Sequence, residues 1–162
     1  MVSKGIILII LMGIYEISVA CNDKVTHLGH KSNYHSASKE LLFKIEKSDD
    51  RNAIAEAAMK VADLADPVLK ELVNKNPKCS EIVSFIQKKK LEMYNLKPNV
   101  LEDEYHEGSV LPTFPDDCHD LKELIVHPAT VVSLAKFSTD FKKAKAHMKE
   151  EIEEVMMHLE AL

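Results

Sequence analysis

One stretch of this chain decides its fold class. Ile54, Ala58, Val61, Ala65, Val68 and Leu72 recur at alternating steps of four and three. That spacing lays the apolar side chains along one face of an α-helix. A second stripe, Phe141, Ala144, Met148, Ile152, Val155, Leu159 and Leu162, is close to a heptad pattern. No segment alternates with period two, and the 4 glycines supply little material for hairpin turns. The expectation is an all-α protein: an irregular helical bundle of about five to seven helices with a long C-terminal helix.

Capping residues and prolines divide the rest. Ser36 or Ser38 opens a short helix through Lys47, and Ser48, Asp49 and Asp50 cap the striped helix after it. Pro67 either restarts that helix, with Asp66 as its cap, or kinks it. Asn76-Pro77 precedes Cys79, Ile82, Val83, Ile86 and Met93 at helical spacing, with Lys88, Lys89 and Lys90 reading as a solvated face. A short helix from Pro98 through Tyr105 stops at Gly108. Gly108 to Pro115 is a connector, and Asp116 and Asp117 cap the next helix. His127-Pro128 interrupts it, because a residue before proline resists the helical region. Ser138 or Thr139 caps the last helix. There Lys142, Lys143, Lys145 and Lys149 precede Glu150, Glu151, Glu153 and Glu154, an order that opposes the helix dipole. Packing must therefore hold it.

The first twenty residues read as a cleaved signal peptide. Lys4 supplies a positive charge, Ile6 to Tyr15 is almost wholly apolar, and Ser18-Val19-Ala20 offers the small residues a signal peptidase reads. The apolar run is too short to cross about 30 Å of hydrocarbon. The mature chain is expected to carry no transmembrane span and to be exported, secreted or periplasmic. Residues 21–36 read as a flexible polar arm, and residues 37–162 as a single helical domain. Cys21, directly after the cut, suits lipidation and a lipid anchor if the source is bacterial. Export makes disulfides the default. With Cys21 at the head of the arm, Cys79 and Cys118 form the natural pair.

With 21 Lys and Arg against 26 Asp and Glu, the net charge is −5. A nonspecific nucleic-acid partner is excluded, since phosphate binding needs a basic face. GxSxG, HExxH, P-loop and dinucleotide fingerprints are missing. Eight histidines direct attention to metals. Glu102 and His106 share a helix face, and His119 and His127 lie across the connector; two His and a carboxylate can hold one ion. The alternative set is His27, His30 and His35 in the arm. A haem-like pair, Met59 with His147 or Met148, rests on analogy to four-helix cytochromes alone. If the protein is an enzyme, His106 with Glu102 is the acid–base pair to test. The functional expectation is an exported, non-catalytic binding or interaction protein, its partner an unspecified protein or small ligand. The alternatives are a metal-binding exported protein and a helical carrier of an apolar ligand. No specific cofactor follows from the sequence.

Overall fold

The structure is a computed structural model that describes residues 29–162. The signal segment, Cys21 and His27 lie outside these residues. Among the described residues the chain forms six α-helices and no strand. They are α1 (29–47), α2 (Arg51–Lys75), α3 (Ser80–Met93), α4 (Pro98–Leu101), α5 (His119–Phe137) and α6 (Phe141–Ala161). The all-α irregular bundle with a long final helix is what the stripes require.

Helix α5 is the axis of the bundle. Every residue from Leu121 to Ala135 is buried, because α2, α3 and α6 pack around it. A helix buried on all sides has no polar face to spare, so its polar residues must find partners inside the protein. The stripe of α2 faces this axis, with Ile54, Ala58, Val61, Ala65 and Val68 fully buried. Helix α6 lies against α5 through Ala144, Met148, Ile152, Val155 and Leu159. Packing thus offsets its unfavourable charge order.

Neither internal proline breaks its helix. Pro67 sits inside α2, where its missing N–H frees the carbonyl of Asp63, an exposed residue that water can reach. Pro128 sits inside α5 and frees the carbonyl of Leu124, deep in the core. There the buried Tyr34 hydroxyl donates to that oxygen at 2.7 Å. The expected interruption at His127-Pro128 is therefore corrected to one continuous helix: a tyrosine from α1 supplies the hydrogen bond that proline removes. Tyr34→Phe should cost about 1–3 kcal/mol by orphaning this carbonyl. A urea midpoint unchanged from the unaltered protein would refute this role.

Other local expectations also shift. Helix α1 is already formed at residue 29, the first described residue, upstream of Ser36 and Ser38; it draws Tyr34 into the core and brings His30 to 3.5 Å from Glu71. Asp140, not Ser138 or Thr139, caps α6 by accepting from the Lys143 N–H at 3.0 Å. Ser138 instead ends α5, and its carbonyl accepts from Arg51 at 2.7 Å. Lys90 is not solvated. It is buried between Asp63 and Asp66 of α2, at 2.8 and 2.9 Å, and these carboxylates raise its pKa against the opposing effect of burial.

Cys79 and Cys118 form a disulfide with Cα atoms 5.4 Å apart. Each ends a short 3-10 turn, Pro77–Cys79 before α3 and Asp116–Cys118 before α5. Asp117 does not cap α5 with its side chain; it pairs with Lys78 at 2.6 Å, beside the disulfide. Among the described residues no helix is long and apolar enough to cross a membrane.

Candidate metal centre

Three elements converge at one end of the bundle. The first is the turn Glu102–His106 that prolongs α4. It is π-helical, closed by the Glu107 N–H on the Glu102 carbonyl at 2.8 Å, and ends at Gly108 with φ 88°. Such wide turns occur often at functional sites. The second is the face of α5 carrying His119, Glu123 and His127, each four residues from the next and hence stacked on one side. The third is the facing side of α6, with His147, Glu151 and His158.

Glu123 lies at the middle, with no exposed surface. Its Oε1 accepts from the buried Lys122 ammonium and lies 3.2 Å from His119 Nε2. Lys122 is held further by the carbonyls of Tyr105 and His106, each at 3.3 Å. The other oxygen, Oε2, is buried without a hydrogen-bond partner. It faces His106 Nε2 and His127 Nε2, both at 3.8 Å. His127 Nε2 is likewise buried and unpartnered.

Each of these two imidazoles turns its other nitrogen toward a carboxylate. His127 Nδ1 meets Glu151 Oε2 at 2.7 Å, and His106 Nδ1 lies 3.8 Å from Glu102 Oε1. With Nδ1–H donated to Glu151, His127 aims the lone pair of Nε2 at a carboxylate oxygen. In that tautomer two acceptors face each other at 3.8 Å out of water, an arrangement that positive charge, either a proton on Nε2 or a metal ion, would stabilise. The spacing approaches the roughly 3.4 Å that two ligands span on one ion with bonds of about 2.1 Å. Ligand atoms from His106, His127 and Glu151 also lie within 4.8 Å of one another.

Around this centre the network continues. Glu151 Oε1 accepts from His147 Nε2 at 2.8 Å. Burial raises the Glu151 pKa, but the hydrogen bonds from His127 and His147 outweigh it and hold the carboxyl at about 2. The same hydrogen bond raises His147. His119 is lowered, chiefly by burial, with Lys122 and His158 adding to it. His158 stacks on His127, ring centroids 5.2 Å apart, and is fixed by Asp120 at 2.7 Å.

Of the four metal candidates named from sequence, His106, His119 and His127 lie around a single group, Glu123, whereas Glu102 lies beyond His106, 3.8 Å from its Nδ1. Sequence reasoning did not single out Glu123, Glu151, Lys122 or His158, and it named His147 only in the haem-like pair. The signal was present as repeated four-residue spacing: His119, Glu123, His127 on one helix and His147, Glu151 on the next. In the alternative set, His30 pairs with Glu71. Of the haem-like pair, Met148 is buried in the core, Met59 packs against it and His147 is engaged by Glu151. No family model, curated protein or solved structure matches this chain.

Proposed function

We propose that the protein is an exported helical metal-binding protein, taking one divalent transition-metal ion between His106, His127 and Glu123. The observation that carries this reading is the pair of buried, unpartnered atoms, Glu123 Oε2 and His127 Nε2, facing each other at 3.8 Å. Two imidazoles and one carboxylate suit Zn²⁺, Cu²⁺, Fe²⁺ or Ni²⁺ better than Mg²⁺ or Ca²⁺, which prefer oxygen alone. Glu151 orients the His127 ring from outside at 2.7 Å, the carboxylate–histidine–metal arrangement that raises imidazole basicity. Lys122 occupies Oε1 of Glu123, which favours one ion over two.

Support for export comes from the apolar N-terminal run and from a disulfide, a bond that persists in oxidising compartments. A binding role without catalysis accords with the missing hydrolase and nucleotide motifs.

Protein prepared without a histidine tag, stripped by chelator and dialysed against Zn²⁺, should retain one ion per chain by elemental analysis and native mass spectrometry. Glu151→Gln should weaken binding roughly 10–100-fold, the usual effect of losing such an orienting partner. Retention of no ion by the unaltered protein at micromolar Zn²⁺ would falsify the proposal.

A further inference from the structure

The buried centre lies between two surface clefts that share His106. One, of about 440 Å³, opens between the α4 turn and α6 and is lined by Glu102, His147, Glu150, Glu151 and Glu154. The other, of about 920 Å³, opens under the proline connector and is lined by Leu111, Phe114, His119, Asp120 and Lys122, among others. The charge of their walls differs in kind. The first has four carboxylates and neither Lys nor Arg. The second has Glu107, Asp116 and Asp120, but also the Lys122 ammonium bonded to Glu123. Asp120 is in addition held by His158.

Exposure along the first cleft falls in steps. The His147 side chain is 47% exposed, Glu151 6%, and His127 and Glu123 0%. Glu151 spans two of these steps, one oxygen on His147 and the other on His127. Glu154, half exposed, brings Oε2 to 3.9 Å of His127 Nδ1. The link from Glu151 to the centre is His106, which lines this cleft: ligand atoms of Glu151, His106 and His127 lie within 4.8 Å of one another, and His106 Nε2 is 3.8 Å from Glu123 Oε2. At the inner end stand the unpartnered atoms of Glu123 and His127. From the connector side the cation would have to pass a buried ammonium.

We propose that the acidic cleft between the α4 turn and α6 is the entrance through which a divalent cation reaches the buried centre. This rests on the metal-binding reading above. His147 and Glu151 hand the ion inward, and Glu102, Glu150 and Glu154 concentrate it at the mouth. Carboxylate-lined clefts raise cation on-rates by about 10–10³-fold, an effect that salt suppresses.

The test is stopped-flow uptake of Co²⁺ or Zn²⁺ by the full metal-free protein, with equilibrium affinity measured in parallel. Two charge reversals compare the clefts: Glu150→Lys at the acidic mouth and Asp116→Lys at the other. Both positions are exposed and neither ligates. Glu150→Lys should slow uptake about tenfold or more at low salt and slow chelator-driven release to match. Stoichiometry and affinity should stay within a few-fold, because an entrance alters both rates and not their ratio. Asp116→Lys should leave both rates near those of the unaltered protein. Normal stoichiometry with uptake unchanged by Glu150→Lys, or slowed as much by Asp116→Lys, overturns the entrance and leaves the centre standing. Failure of the unaltered protein to bind either ion overturns both.

Discussion

Glu123→Gln will abolish one-to-one zinc binding and will also weaken the metal-free fold by about 3–5 kcal/mol. The two effects have separate origins. The substitution removes the anionic donor that faces His106 and His127 at 3.8 Å. It also leaves the Lys122 ammonium, 2% exposed, without its counter-charge. Removing one partner of a buried pair leaves an uncompensated charge, which is where so large a cost arises. Tyr105 and His106 offer Lys122 only neutral carbonyls. The double substitution Lys122→Met with Glu123→Gln should recover most of the lost stability, since apolar replacement of a buried pair is often neutral, and should bind no zinc. Urea denaturation in chelator reads the stability effect and zinc titration the binding effect. Zinc binding by Glu123→Gln at unaltered affinity would show that the ion sits elsewhere.

Loss of the Cys79–Cys118 bond should cost about 4 kcal/mol. The linked residues are 39 apart in sequence, and the chain-entropy model assigns a loop of that length this order of stabilisation. Cys79→Ser with Cys118→Ser should lower the melting temperature by about 10 °C or more. The connector should loosen first, because the bond holds the 3-10 turn at its end. Hydrogen exchange should rise in residues 108–120 before it rises in α2. His119 directly follows Cys118, so the first turn of α5 and one edge of the proposed metal site depend on the same bond. A loss below about 1 kcal/mol would mean that neighbouring contacts, including Lys78–Asp117, hold the turn unaided.

What could be read from sequence was whatever one helix states by itself. The stripe of α2 needs no partner to be recognised, and neither does the Asp50 cap, whose side chain accepts from the Ala53 N–H three residues on. The disulfide was legible because elimination left one sensible pair. What failed was what a distant residue supplies. Pro128 looks like a helix break until Tyr34, far away in the chain, donates to the carbonyl it frees. Lys90 looks solvated until α2 sets Asp63 and Asp66 beside it. Glu123 was hidden for the same reason: an acid after a lysine at the start of a helix is usually a surface residue. Only the packing of α2, α3 and α6 around α5 turns that position inward. His106 and His127 drew notice because histidine does so wherever it stands, whereas Glu123 and Glu151 did not.

The π turn at Glu102–His106 makes the centre sensitive to chain length as well as to residue identity. It is a helical ladder with one surplus residue. Deleting Asp103 or Glu104 would restore ordinary α spacing, and each residue removed rotates the downstream side chains by about 100°. His106 would swing off the axis that points to Glu123, and the buried Tyr105 beside it would turn as well. A one-residue deletion here would therefore disturb the proposed ligand His106 and the seat of the buried Lys122 ammonium together, since the Tyr105 and His106 carbonyls hold that ammonium.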